Sequence, residues 1–209
     1  PHLSGAILIM GAGAVLMLVG GINWMWVGGA IGAAGIMMYL VLFVIGYNAS
    51  RIEMWHNPWA DAQGKGYQLS QSLISIGSGG LLGVGLGRSR QKFLFLPEEH
   101  NDFIFAIVCE ELGLIGAAII MLLFAALILR GYWIALHARD RFGSLLVVGV
   151  TTLIGLQTFL NIGVVTGLLP TTGISLPFFS YGGTALSIQL AEMGIVLSVS
   201  RQMKPTKAG

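Results

Sequence analysis

The sequence predicts an all-α polytopic membrane protein, a bundle of about five transmembrane helices. The chain of 209 residues is 55% hydrophobic and only 10% charged, whereas soluble domains carry about 25% charged residues. Several apolar runs are continuous over the roughly 20 residues that cross a bilayer, while outer-membrane barrels have short alternating segments instead. The net charge of +2 does not indicate a nucleic-acid partner, and we expect none.

Five apolar runs define the expected spans of a single membrane domain over residues 1–209. They lie at about residues 3–20, 25–47, 103–129, 144–168 and 184–200. A long polar connection covers residues 48–102, and prolines and glycines interrupt the apolar pattern again over 169–182. Within the first connection, YQLSQSLISIGSGG has the 3.6-residue period of a short amphipathic half-helix, and the glycine run after it, GSGGLLGVGLG, is expected to be flexible.

Glycine is unusually frequent, at 31 residues. In membrane helices this frequency indicates close packing, for which Gly28 and Gly32 provide a GxxxG pair. The single cysteine, Cys109, lies in an apolar run, and we expect it to be a small core residue.

The distribution of Lys and Arg predicts the orientation. The loop after the third span and the C-terminal tail carry six of the 11 Lys and Arg residues but only one acid, Asp140, so both are expected in the cytoplasm. The 48–102 and 169–182 segments would then share an outer cavity, where irregular backbone is tolerated. Five spans place Pro1 outside, and the sequence has neither an initiator Met nor a signal peptide, so we expect further spans upstream.

Asp102 is the main candidate for chemistry. Three cations (Arg88, Arg90 and Lys92) and three acids (Glu98, Glu99 and Asp102) precede the third span. Asp102 or its neighbour Asn101 has the position of a helix cap, yet a carboxylate facing an outer cavity is also placed to act as a base. The two interpretations are compatible. The cations form either a headgroup-binding stretch or a phosphate site.

Three further acids, Glu110, Glu111 and Glu192, lie inside predicted spans. Carboxylates there normally face a polar interior or a partner. A structural network and a functional role are both open for them. The histidines show no metal-ligand spacing, and no nucleophilic triad is visible.

Three stretches in order carry a family resemblance: NPWADAQGKGYQLSQSLISIGSGGLLGVGLG, QKFLFLPEEHNDFIFAIVCEELG and LLPTTGISLPFFSYGGTAL. The chain resembles the SEDS family (shape, elongation, division and sporulation proteins) over essentially its whole length. The sequence around RSRQKF and LPEEH is closer to division-type FtsW and sporulation-type SpoVE members than to RodA. The family motif usually reads H-T-D, and Asn101 stands here in place of Thr.

The resemblance implies the C-terminal half of a ten-span protein of the bacterial inner membrane, with its site on the extracytoplasmic face. The implied activity is peptidoglycan glycosyltransfer on lipid II, with Asp102 as the essential acid. Candidate substrate-binding residues are Arg88, Arg90, Lys92, Glu98, His100 and Gln71. A divalent cation, Mg²⁺ or Mn²⁺, is an open alternative without a visible cage. Expected partners are membrane lipids, a class B penicillin-binding protein and other division proteins. A lipid II flippase that uses the intramembrane acids, or a division scaffold, is the rival function.

Overall fold

The computed structural model describes residues 3–39, 49–62, 64, 66–89 and 102–203. Throughout these residues the regular secondary structure is helical, in agreement with the predicted fold class. The described ranges contain seven α-helices, and a 3₁₀ turn, Pro58–Asp61, lies between the third and the fourth. The helices are α1 Leu3–Val19, α2 Trp24–Tyr39, α3 Ala49–His56, α4 Tyr67–Gly79, α5 Ile104–Leu136, α6 Arg141–Val165 and α7 Gly183–Arg201.

Three of these helices, α5, α6 and α7, are long and apolar enough to cross a membrane, and α1 and α2 form shorter apolar helices within the described part of the chain. The chain is therefore a multi-pass membrane protein. Helix α5 continues to Leu136, past the expected end at residue 129. The expected loop is thus reduced to a short turn at 137–140, where Asp140 accepts a hydrogen bond from Gly143 N at 3.0 Å and caps α6.

Helices α5 and α6 approach each other closely at Gly131. A Cβ atom built there would lie 2.3 Å from Thr151 Oγ1, so only glycine allows this separation. The expected GxxxG contact is not seen: at Gly28 and Gly32 a built Cβ atom would meet no described atom within 4 Å. The prediction for Cys109 is confirmed, since this side chain is buried in a core cluster with Phe103 and Phe105.

Helix α4 buries its serine face rather than an apolar face alone. Ser70, Ser72 and Ser75 are all 0% exposed. Their hydroxyls find backbone partners, which removes the penalty for burying a polar group: Ser72 Oγ donates to Val165 O at 2.8 Å, and Ser75 Oγ to Ala106 O at 3.1 Å. The short amphipathic helix predicted here is present, and its hydroxyls join it to the ends of α5 and α6.

Helix α5 is interrupted at Gly113, whose φ of 67° and ψ of −171° are not helical. Leu114 N and Ile115 N leave the helical ladder and donate to Gly80 O at 2.9 Å and Leu81 O at 3.2 Å. The helical acceptors of those two amides are Glu110 O and Glu111 O. They accept instead from Val84 N and Gly85 N, both at 3.0 Å.

The glycine run is therefore fixed by hydrogen bonds, contrary to the expectation that it is flexible. We call residues 79–85 the glycine clip. A Cβ atom at Gly83, where φ is +78°, would lie 2.2 Å from Glu111 O, and one at Gly79 would lie 2.0 Å from Cys109 O. Two backbones can approach this closely only because the clip has no side chains at these points.

Candidate active site

Asp102 lies in a turn directly before α5, where the polar connection meets the membrane helix. The cap position of α5 is Phe103, and no side chain caps it. The helix therefore begins one residue later than predicted, with Asp102 directly before its cap position. Asp102 is partly buried at this position.

Asn161 of α6 holds the Asp102 backbone in place. Its Nδ2 atom donates to Asp102 O at 2.6 Å and to Ile174 O at 2.8 Å, while the side chain is 0% exposed. Both partners are carbonyl oxygens, which only accept, so the orientation of the amide is determined. One side chain thus joins the start of α5 to the 169–182 segment.

The 169–182 segment also approaches the Asp102 carboxylate. A Cβ atom built at Gly173, where φ is +73°, would lie 3.5 Å from Asp102 Oδ2. Asn161, which binds the Asp102 backbone, and Thr172, which precedes Gly173, each have a buried polar atom. These atoms, Asn161 Oδ1 and Thr172 Oγ1, have no hydrogen-bond partner among the described residues. Each such unpartnered buried atom costs about 1–3 kcal/mol.

The same segment is non-helical over 168–182 and is anchored at its far end. Phe178 has a φ of 64°, which is uncommon for a residue other than glycine. Its N–H donates to Gln189 Oε1 of α7 at 2.8 Å, and its ring packs on the core cluster that contains Phe103 and Leu176. The segment is therefore pinned to α6 by Asn161 and to α7 by Gln189.

Glu110 lies at the glycine clip and is 2% exposed. Its Oε2 atom accepts from Ser89 Oγ at 2.5 Å and lies 3.2 Å from Ser75 Oγ, whose one hydroxyl proton is shared between Glu110 and Ala106 O. A cavity of about 380 Å³ adjoins this carboxylate and is lined by Ser78, Val84, Arg88 and Glu110. Arg88 and the buried Glu110 therefore line the same cavity. The Ser89 hydroxyl, next to Arg88 in the chain, is hydrogen-bonded to Glu110.

The other predicted site residues are distributed around these two features. Gln71 is half-buried on α4, and Glu192 is partly buried on α7. Glu111 has a buried Oε1 atom without a hydrogen-bond partner in the described ranges. Five predicted residues lie outside the described residues: Arg90, Lys92, Glu98, Glu99 and His100.

The described side chains can be tested for the grouping that a metal ion would require. Among the residues that the structure describes, no three His, Cys, Asp or Glu side chains are grouped so as to hold a metal ion. The described His, Cys, Asp and Glu side chains therefore do not by themselves form a cage for Mg²⁺ or Mn²⁺.

Three residues of the buried network were not predicted from the sequence: Asn161, Ser75 and Ser89. Asn161 stands between apolar residues in TFLNIGVV, and a lone amide inside a predicted span is itself a signal of a buried hydrogen-bond network. Ser75 lies in the predicted amphipathic half-helix, but nothing local indicates that this helix contacts a buried glutamate.

The helices and this buried polar network together define a multi-pass membrane protein with a carboxylate held at the entrance of one span. The chain belongs to the family of FtsW, RodA and SpoVE, because the family model described as "Cell cycle protein" matches residues 1–205. The predicted SEDS membership is confirmed.

Named relatives agree with this assignment. The chain is 46% identical over 206 residues to the probable peptidoglycan glycosyltransferase FtsW of Geobacter metallireducens, covering 98% of the chain and 55% of that protein. It is 55% identical over 155 residues to the stage V sporulation protein E of Bacillus subtilis, covering 74% of the chain and 42% of that protein. The peptidoglycan glycosyltransferase MrdB of Escherichia coli is 40% identical over 207 residues, covering 98% and 56%.

Solved structures show the same fold. One chain, described under "Structural coordination of polymerization and crosslinking by a peptidoglycan synthase complex", has a TM-score of 0.78 at 27% identity, covering 99% of this chain and 57% of that one. The rod shape determining protein RodA of Thermus thermophilus has a TM-score of 0.62 at 27% identity, covering 99% and 52%. The chain spans about half the length of the curated relatives it matches.

Proposed function

We propose that the complete protein is a peptidoglycan glycosyltransferase that polymerises lipid II during septal cell-wall synthesis, in the bacterial inner membrane and with its site on the extracytoplasmic face. The observation that carries the proposal is the fixed position of Asp102. Its backbone is bound by Asn161, and its carboxylate lies close to Gly173 of the 169–182 segment. Relatives of the same family bear the name of this activity.

The proposed reaction joins two lipid-linked sugars. The 4-hydroxyl oxygen of the acceptor GlcNAc bonds to C1 of the donor MurNAc, the bond from C1 to the pyrophosphate oxygen breaks, and the configuration at C1 inverts. Asp102 takes the hydroxyl proton as general base. Undecaprenyl pyrophosphate leaves with the electron pair, and its charge needs cationic partners. Arg88, Arg90 and Lys92 are proposed for that role.

The remaining predicted residues would contact the sugars or support the site. Gln71, Glu98 and His100 are proposed as substrate-binding residues. Mg²⁺ or Mn²⁺ would add positive charge beside the pyrophosphate, and a titration of polymerisation against a chelator tests that requirement. A class B penicillin-binding protein, a single-span transpeptidase, is the proposed partner, with other division proteins around the pair. One structural neighbour belongs to a peptidoglycan synthase complex in which polymerization and crosslinking are coordinated, and this supports the pairing.

The test is the substitution Asp102→Asn in the complete protein with its partner, assayed on labelled lipid II. The Asn161 bond to the backbone of residue 102 does not depend on that carboxylate, so folding should be preserved. A positioned general base contributes about 10²–10⁴-fold in rate, and polymerisation should therefore slow at least about a hundredfold. Asp61→Asn, the same chemical change in the same polar connection, is the matched control and should retain activity.

Near-normal polymerisation by Asp102→Asn would refute this role. The search for the base would then move to Glu98 and Glu99.

A further inference from the structure

A groove lies at the opposite end of the bundle from Asp102, between α5, α6 and α7. It encloses about 230 Å³. Its walls are the apolar side chains of Leu127, Ile128 and Ile134 from α5, Val150 and Ile154 from α6, and Met193, Val196 and Leu197 from α7. The contact at Gly131 brings α5 against α6, and the groove lies beside that contact.

The size and lining of the groove favour hydrocarbon over water. The volume corresponds to several waters at roughly 30 Å³ each. Apolar cavities of comparable size stay dry and accept apolar guests, because water needs two to four polar partners. The polar atoms at this groove belong to Thr151, Arg130 and Ser200, and Thr151 is nearly fully buried. A chain of methylenes therefore fits the walls.

Arg130 is the charged residue of the lining. Its position is six residues before the end of α5 at Leu136, which is about 9 Å along the helix axis. The guanidinium carbon lies 4.1 Å from the centroid of the Trp133 ring, so a cation–π contact restricts the position of the guanidinium. Arginine and tryptophan near the end of a membrane helix are typical of the headgroup region.

The surroundings of Arg130 are positively charged. Arg141 and Arg201 lie at the same end of the bundle and are exposed. The one acid in the connecting turn, Asp140, accepts from Gly143 N and is used to cap α6. Basic pockets between transmembrane helices bind anionic lipid headgroups.

We propose that this groove binds one anionic phospholipid of the phosphatidylglycerol type. An acyl chain would lie along the apolar walls, and the phosphate would accept hydrogen bonds from the edge of the Arg130 guanidinium. The proposal is independent of the glycosyltransferase activity, because it concerns the other end of the bundle.

The experiment is native mass spectrometry of the complete protein, titrated with phosphatidylglycerol and with phosphatidylcholine of identical acyl chains. Wild-type protein should bind one phosphatidylglycerol in preference. Arg130→Gln should weaken that binding about fivefold, which corresponds to about 1 kcal/mol for one cation near the surface. Arg139→Gln removes an equal charge from the turn outside the groove and should leave the binding nearly unchanged.

A second variant tests the acyl chain separately from the charge. Val150→Phe fills the groove while keeping Arg130, and it should reduce phosphatidylglycerol binding with unaltered thermal unfolding. Equal losses in Arg130→Gln and Arg139→Gln would show diffuse surface attraction and overturn the site. Equal binding of the two lipids, or full binding by Val150→Phe, would overturn it as well.

Discussion

The substitution Asn161→Leu separates the position of Asp102 from its chemistry. Leucine has nearly the shape of asparagine but donates no hydrogen bond, so the carbonyls of Asp102 and Ile174 would lose the donors that now lie at 2.6 and 2.8 Å. Each buried carbonyl left without a partner costs about 1–3 kcal/mol. The change also removes the buried Asn161 Oδ1 atom, which has no partner among the described residues, and this recovers about 1–3 kcal/mol.

The net destabilisation should therefore be about 1–3 kcal/mol, which is large for one residue but compatible with folding. The effect on catalysis should be greater, since a shift of about 1 Å in a catalytic group costs about a hundredfold. We expect kcat for lipid II polymerisation to fall about 10–100-fold, with KM changed less than threefold, roughly 0.6 kcal/mol. Asp102 itself is untouched.

The matched control is Thr158→Val. Thr158 is buried on the same helix, one turn before Asn161, but its hydroxyl donates to Ile154 O of its own helix at 2.8 Å. The assay compares kcat, KM and thermal unfolding of the two variants in detergent. If Asn161→Leu lowers kcat no more than Thr158→Val does, Asn161 is a packing residue and the positioning argument fails.

Three further predictions concern the clip, the buried acid and the orientation. Gly83→Ala places a Cβ atom on a left-handed residue, 2.2 Å from a carbonyl oxygen. The free energy of unfolding should therefore fall by about 1–3 kcal/mol or more. The control Gly77→Ala has open space around it and should not change thermal unfolding. Glu110→Gln keeps an oxygen for its serine donors and should cost about 1 kcal/mol while polymerisation continues; loss of lipid II translocation in vesicles with polymerisation retained would favour a transporter instead. A cysteine at 137–140 should be shielded from an impermeant reagent in intact cells and one near Lys65 labelled, and the reverse pattern would reject the proposed orientation.

Helix type and order could be predicted from the sequence because apolar periodicity is a local property. The end of α5 could not, since Arg130 was taken as the boundary although a long cation can extend from inside a span to the interface. The site was predicted in part. Asp102 was identified from its motif, but its partner Asn161 depends on a contact between residues 59 apart in the chain, which no local pattern encodes.

The same limit applies to the glycine run. Its composition indicated a flexible linker, because glycine permits many conformations. Its actual conformation depends on amide and carbonyl groups about 30 residues later, at the interruption of α5. The glycines show that many backbone conformations are possible, and the hydrogen bonds to α5 determine which one is adopted.

The interruption of α5 implies an order of events during membrane insertion. A newly inserted α5 without its partner segment would keep the regular ladder, because the bare carbonyls of Glu110 and Glu111 would each cost several kcal/mol in hydrocarbon. The glycine clip precedes α5 in the chain and is already synthesised when α5 enters the bilayer. We therefore expect the helix to open at Gly113 as the clip docks, and we expect the isolated span to keep a regular helix there.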